Sequence, residues 1–260
     1  MILRQLLSRK WLLTTLLAIA AVVVLIRLGN WQLDRLEQRR IFNSRVTTQI
    51  DSPPIQLNAG SFSLDLYNME YRSVTIAGEY EHSFEVALNN QVWGGLLGIH
   101  LLTPLKITGT DSYILVDRGW IPQDDYSPDR WSKYAAPGIV TLEGVIRRPR
   151  SNPTFGGIPD PALEPGEKRL LYWNMINLDR IQIESELLFL PVYVLQSPDG
   201  EQLNPPLKEL IGLDLTEGSH IGYALQWFAF AVILAIGYPI YVRSQTRIEE
   251  MSHQVDESKL

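Results

Sequence analysis

The chain has 260 residues, of which 45% are hydrophobic and 20% are charged, and its formal net charge is -6 at pH 7. An acidic balance argues against contact with phosphate backbones, so we expect no nucleic-acid partner. The sequence has no cysteine. That absence excludes thiolate metal sites, cysteine nucleophiles and thiol redox chemistry.

The first predicted element is an apolar run from Trp11 to Ile26. A helix needs about 20 residues to cross a hydrocarbon core roughly 30 Å thick, and the run reaches that length if it continues to Trp31. We therefore predict a cytoplasmic N-terminus at 1–10 and a first transmembrane helix at 11–31. A cleaved signal peptide is the alternative, with Ala18-Ile19-Ala20 as its cleavage site, but the apolar run continues beyond that site.

A polar, helix-favouring stretch follows the first span as far as Thr48, and Asp51 to Pro54 ends it. We predict that this stretch is a helical stalk. The sequence then changes to short segments rich in β-branched and aromatic residues, with turn signals at Asn89-Asn90 and Gly94-Gly95. These segments predict strands at Arg72–Tyr80, Glu85–Asn89, Ile99–Leu105, Tyr113–Asp117, Val140–Ile146, Leu170–Asn174 and Val192–Gln196.

One helix is predicted among the strands, capped by Asn177 and ended by Pro191. A second transmembrane helix is predicted at 220–242, followed by a cytoplasmic tail at 243–260, whose residues after Arg247 are charged and expected to be disordered. The fold class is therefore a membrane protein with two transmembrane α-helices. They flank an extracytoplasmic domain at 32–219, an antiparallel β-rich barrel or sandwich with one or two helices.

Basic residues in the short flanks predict the orientation of both spans. They precede the first span and follow the second, at Arg4, Arg9, Lys10, Arg243 and Arg247. Both ends are therefore expected on the cytoplasmic side, with the domain between them outside. Because the N-terminus lacks the Arg- and Ser-rich pattern of a transit peptide, we favour a bacterial plasma membrane over a mitochondrial inner membrane.

The residue types that carry catalysis are sparse in this sequence. The four histidines are widely scattered, without the spacing of metal ligands on one helix, at His82, His100, His220 and His253. Hydrolase, zincin, P-loop and dinucleotide-binding motifs are absent on inspection. We therefore expect a protein that is not an enzyme.

Four stretches of sequence resemble one known family. They are LGNWQLDRLEQRR after the first span, TPL at Thr103 to Leu105, ILVDRGWIP at Ile114 to Pro122, and HIGYALQWFAF from His220. In this order and between two spans, they resemble the Surfeit locus protein 1 family of membrane-anchored assembly factors for haem-copper cytochrome oxidase. The resemblance covers nearly the whole chain.

The resemblance implies a haem-handling role. Members are implicated in supplying haem a to the oxidase catalytic subunit, so the implied partners are cytochrome c oxidase, haem a synthase and the lipid bilayer. His220 matches the histidine associated with haem a in bacterial members and would be the axial ligand of the iron, with Tyr223 and Trp227 flanking the ring. Interfacial anchoring is the alternative for these residues. Gly218-Ser219 departs from the asparagines of many relatives, which removes a possible hydrogen-bonding partner.

Other residues have two interpretations each. Arg118 would bind haem propionates, or would form a strand-end ion pair with Asp117 in which Gly119 supplies a turn. Trp31, Gln32 and Arg35 would contact a partner, the second span or lipid headgroups, or would only anchor the first span at the interface.

Two other functions remain open from the sequence alone. The first is a structural chaperone that stabilises an oxidase intermediate without touching haem, in which case His220 would be replaceable. The second is a membrane-tethered enzyme or ligand sensor, which requires clustered polar side chains in a pocket of the β-rich domain.

Overall fold

The computed structural model describes residues 2–153, 155–200, 203–209 and 211–257. The chain divides into two compact units. Unit 1 comprises Met1–Ser44 and Asp214–Leu260, and unit 2 comprises Arg45–Leu213. The two apolar runs of the sequence therefore lie in unit 1, and the predicted strands lie in unit 2.

Unit 1 is helical. It contains α1 at Ile2–Leu6, most of α2 at Leu12–Ile50, and α4 at His220–Glu257. Two helices are long and apolar enough to cross a membrane, at Leu12–Ile50 and His220–Glu249. As the sequence predicts, α2 continues without a break from the apolar run into the stalk. The disorder predicted after Arg247 is wrong as far as Glu257, because α4 remains helical to that residue.

The two long helices pack antiparallel. Their paired residues run in opposite directions along the sequence, because Gln32 contacts His220, Gly29 lies against Phe228, and Thr14 and Thr15 bond to Tyr238. A Cβ atom on Gly29 would lie 2.5 Å from the Phe228 ring, so the glycine makes room for this ring. Ala224 and Ala231 are almost fully buried on α4. Small residues thus allow close approach of the two helices, as is common between membrane helices.

Unit 2 is built on one sheet of eight strands. The strands are β1 Ile55–Leu57, β2 Ser73–Tyr80, β3 Val86–Trp93, β4 Leu96–Ile107, β5 Tyr113–Pro122, β6 Ile139–Arg147, β7 Tyr172–Trp173 and β8 Phe189–Gln196. Five of them close into a barrel in the order β2-β6-β8-β5-β4, because β4 also pairs with β2. The strands β1, β3 and β7 extend the sheet beyond this ring.

Short helices complete unit 2. The α-helix α3 spans Leu178–Ser185, and the Asn177 side chain caps it by accepting a hydrogen bond from the Arg180 amide. The 3-10 helices are at Ala59–Ser63, Leu66–Met69, His82–Phe84, Gln123–Asp125 and Pro128–Tyr134. The Asn177 cap confirms the helix start predicted from the sequence.

The barrel encloses the main hydrophobic core. Alternate residues of the strands face inward, as β2 shows with its buried Val74 and Ile76. The fully buried residues of this core with less than 2% exposure include Val74, Ile76, Leu105, Ile107, Ile114, Val116, Ile146, Val192 and Val194. A second cluster around Trp173 packs α3 against the sheet. Seven strands, the helix after Asn177 and the β-rich barrel class are thus confirmed. The predicted helix end at Pro191 is wrong, because α3 ends at Ser185, where Glu186 adopts a left-handed conformation, and Pro191 lies within β8. The sheet is also not antiparallel throughout, because β1–β2, β3–β7 and β5–β8 pair in parallel.

Candidate functional site

His220 is the first residue of α4, and its imidazole is half-buried. Its Nδ1 lies 2.9 Å from Oε1 of Gln32 on α2. An amide oxygen can only accept a hydrogen bond, so Nδ1 carries the proton in the neutral ring. The second ring nitrogen, Nε2, then keeps its lone pair, which is the arrangement of a metal-ligating histidine whose other nitrogen is held by a neighbour.

The chain just before His220 is bound to the stalk helix. Arg39 donates hydrogen bonds to the carbonyl groups of Asp214 and Thr216, and Asn43 donates to that of Leu215. Arg40 makes a bidentate ion pair with Glu217, at 2.9 Å for each of its two hydrogen bonds. These bonds fix residues 214–217 against α2, and with them the start of α4.

Hydrogen bonds in this segment lower the pKa of both acidic groups. The hydrogen bond from Arg40 lowers the pKa of Glu217, and the bonds from the hydroxyl and amide of Thr216 lower the pKa of Asp214. Arg40 in turn has a raised pKa because of its bond to Glu217. The pairing therefore remains charged at neutral pH.

The aromatic residues predicted beside His220 lie on α4 as the spacing indicates. Tyr223 is 49% exposed, and Trp227 is half-buried. The Trp227 ring meets Phe230 edge to face, with ring centroids 6.2 Å apart and an interplanar angle of 77°. Tyr223, Trp227 and Phe230 thus place aromatic rings within about three helical turns after His220.

The three residues predicted as a contact surface on α2 have different surroundings. Gln32 has an intramolecular partner, His220. Trp31 is exposed, and the Arg35 guanidinium lies over its ring at 5.7 Å from the centroid. Arg35 also donates a hydrogen bond of 3.1 Å to Gln38. The structure therefore brings Gln32 to the first residue of the second predicted span, which was one of the alternatives from the sequence, although the sequence did not indicate His220 as the partner.

Arg118 lies in unit 2, where it is buried. Its guanidinium donates to Glu85 at 2.9 Å and to the carbonyl of Tyr134, and it lies over the Tyr80 ring at 4.8 Å from the centroid. Thr103 donates a further hydrogen bond to the same carboxylate of Glu85. The nitrogens of Arg118 that make these bonds serve internal acceptors, and its assignment to haem propionates stays a prediction.

The predicted ion pair between Asp117 and Arg118 is wrong. Neighbouring residues on a strand point to opposite faces of the sheet, so Asp117 instead pairs with His100, whose Nδ1 lies 3.0 Å from both carboxylate oxygens. Gly119 lies within β5 with φ at +111°, and a Cβ atom there would be 2.4 Å from the carbonyl oxygen of Leu207. The glycine thus permits close approach of another segment and is not a turn.

Unit 2 also contains a polar cavity of about 490 Å³. Its charged lining residues include Arg118, Asp199 and Lys208, and the latter two form an ion pair at 2.9 Å. Burial raises the pKa of Tyr80 to about 12, so its hydroxyl stays protonated and donates to Gln196. Several polar groups that line this cavity are therefore bonded to other residues of unit 2.

Potential metal ligands are dispersed in the described part of the chain. Among residues 2–153, 155–200, 203–209 and 211–257, no three histidine or acidic side chains are grouped so that they could hold a metal ion. One histidine with a free Nε2 is nevertheless sufficient as an axial ligand when a porphyrin supplies the remaining donors. His220 has the surroundings of such a ligand.

Sequence comparisons agree with the four stretches identified above. Residues 19–232 match the sequence model of the SURF1 family. A SURF1-like protein of Monosiga brevicollis is 26% identical, over 81% of this chain and 80% of its own length. A SURF1-like protein of Rickettsia felis is 27% identical over 89% and 97% of the two chains, and Surfeit locus protein 1 of Homo sapiens is 23% identical over 78% and 69%.

The family match extends from the first apolar helix through the barrel to the second apolar helix. It includes Gln32 and His220, the two residues whose side chains meet at the start of α4. The chain belongs to the SURF1 family.

Proposed function

We propose that this protein is an assembly factor for haem-copper cytochrome c oxidase, and that it binds haem a at the membrane and assists its delivery to the catalytic subunit. One observation carries the haem-binding part of the proposal. The Nδ1 of His220 is bound to Gln32, so its Nε2 keeps the lone pair that an iron ligand requires.

The surroundings of His220 suit a transient haem ligand. His220 would hold the iron through a single imidazole nitrogen. Such ligation is exchangeable, as transfer to another protein demands. The aromatic surface of Tyr223, Trp227 and Phe230 suits an apolar ring system, and the farnesyl chain of haem a would keep the cargo in the bilayer.

The proposed location follows from the two apolar helices and the charges beside them. Both ends would lie in the cytoplasm of a bacterium, and unit 2 would lie outside the plasma membrane. Haem a synthase would be the donor, and the oxidase catalytic subunit the acceptor. The role is non-catalytic, because delivery needs binding and release only.

A structural chaperone of an oxidase intermediate is the competing function. Unit 2 would then be the working part, and His220 would be replaceable. A ligand sensor that uses the polar cavity of unit 2 has less support. Two charged residues of the cavity lining, Lys208 and Asp199, already form an ion pair with each other.

The test is the visible absorption spectrum of detergent-purified protein from cells that make haem a. We expect a Soret band and an α-band in the wild type, loss of both in His220→Ala, and their recovery in His220→Gly when imidazole is added. Gln226→Ala, at an exposed position of the same helix, is the control and should keep the bands. Absence of haem from the wild type would contradict haem delivery and favour the structural chaperone.

A further inference from the structure

Arg35 carries a positive charge beside the His220 site. Among the residues that the structure describes, no carboxylate lies within 4.0 Å of its guanidinium. Its contacts are the Trp31 ring and the amide oxygen of Gln38, both on its own helix. This differs from Arg39 and Arg40 on the next turn, which bind residues 214–217. Arg35 is therefore a cation whose described contacts are all uncharged.

The antiparallel packing of α2 and α4 puts Arg35 and Tyr223 on the same side of the helix pair. Gln32 and His220 face each other across the contact. A step of three residues turns about 300° around a helix, which is 60° backward. Because the two helices run in opposite directions, this step from Gln32 to Arg35 and from His220 to Tyr223 rotates both side chains toward one lateral surface.

The residues of this lateral surface are ordered along the helix pair. Arg35 lies about 4.5 Å beyond Gln32 toward the stalk, whereas Tyr223 and Trp227 lie about 4.5 Å and about 10 Å from His220 in the opposite direction. A long side chain on a helix leans toward the N-terminus, so Arg35 leans back over Trp31, as the cation–π contact shows. The surface thus has a cation at one end, an imidazole in the middle and aromatic rings at the other end.

We propose that Arg35 binds a carboxylate of the ligand that His220 holds. This inference rests on the proposed function, under which the carboxylate is a haem propionate. An amphipathic ligand with an acidic edge and an apolar remainder matches the order of charge and aromatic rings on this surface. A guanidinium can donate two parallel hydrogen bonds to one carboxylate. These charge-assisted bonds are stronger than the present hydrogen bond from Arg35 to the neutral amide of Gln38, which they would replace.

The experiment compares two forms of one probe in nanodiscs of neutral lipid. Full-length wild type, Arg35→Gln and Arg35→Lys are titrated with haemin and with haemin dimethyl ester, whose propionates carry no charge. We expect Arg35→Gln to bind haemin about fivefold to tenfold more weakly than wild type and to bind the ester equally well. Arg35→Lys should keep part of the preference for the acid, and the Soret position should stay that of the wild type because His220 still ligates the iron.

Arg45→Gln is the matched control, since it removes the same charge from an exposed position of the same helix about 15 Å farther from Gln32. It should leave both affinities unchanged. If Arg35→Gln weakens haemin and ester equally, or neither, the inference is overturned while haem binding stands. Failure of wild type to bind either probe would contradict the proposed function itself.

Discussion

His100 is a titratable residue whose partner fixes a pH dependence of stability. Burial lowers the pKa of His100, but the charge of Asp117 and its hydrogen bond raise it, with a smaller contribution from Glu209, and the net pKa lies above the ordinary value. A pKa that is higher in the folded state than the unfolded value of about 6.5 stabilises the folded protein. This stabilisation is fully present at a pH below the unfolded pKa, and it is lost as the pH rises through the folded pKa. The pair therefore contributes most to stability in acid.

We expect His100→Gln to cost more stability at pH 6 than at pH 9. Thermal unfolding of the detergent-solubilised protein across this pH range gives the difference in unfolding midpoint between wild type and variant. The contributions of the other titrating groups largely cancel in this difference. A difference in midpoint that shrinks steadily as pH rises is the expected result. A difference that is constant with pH would mean that His100 does not gain its charge through Asp117.

The sequence indicates individual residues more readily than their contacts. His220 and Gln32 were each named as candidates, but 188 positions separate them, and no local pattern reports a contact over that distance. The proposed pair of Asp117 with Arg118 failed for the opposite reason. Adjacency in sequence suggested contact, whereas a strand directs adjacent side chains to opposite faces.

The contact between α2 and α4 depends on Gly29, which gives a prediction about these two elements. Gly29→Leu should destabilise the helix pair by about 1–3 kcal/mol, because a side chain there overlaps the Phe228 ring. Gly222→Leu is the matched control on α4, since no atom lies within 4 Å of its Cβ position. Thermal unfolding in detergent measures both. Adding Phe228→Ala should restore part of the loss, and equal effects of the two leucines would refute the packing explanation.

Secondary structure was predictable where elements are long and regular. The stalk helix ends at Ile50, just before the Asp51–Pro54 breaker, and seven strands were found. β1 was missed because three residues are too few to show alternation. Asn89-Asn90 was taken for a turn, yet β3 continues through it with a register shift, since Asn90 adopts a positive φ of 59° without leaving the strand.

The architecture of the whole molecule was predictable only in outline. Two apolar runs and the polar sequence between them determine two long helices and one β-rich domain. Closure of the barrel was not predictable, because it requires the end of β2 to pair with β4, and β5 to lie parallel to β8. These pairings join segments far apart in sequence, and alternation along single strands contains no information on them.

The orientation of the whole molecule is testable because the chain has no cysteine. Ser63→Cys places a thiol on an exposed position of unit 2, and Ser244→Cys places one after the second apolar run. In spheroplasts, a membrane-impermeant maleimide should label Ser63→Cys directly and Ser244→Cys only after lysis. The reverse pattern would invert the proposed topology, and labelling of both in intact spheroplasts would contradict two membrane spans.

The hydrogen bond between Gln32 and His220 also imposes an order of events during synthesis. A ribosome that adds about 5–20 residues per second needs roughly 10 to 40 s to travel from one partner to the other. During that interval Gln32, Arg39 and Arg40 have been made, but the residues that they bind have not. A chain that stops anywhere in the barrel therefore has the first apolar helix but lacks the contact between Gln32 and His220. Under the proposed function, only a molecule whose translation has passed through unit 2 and into α4 would be competent to hold a ligand at His220.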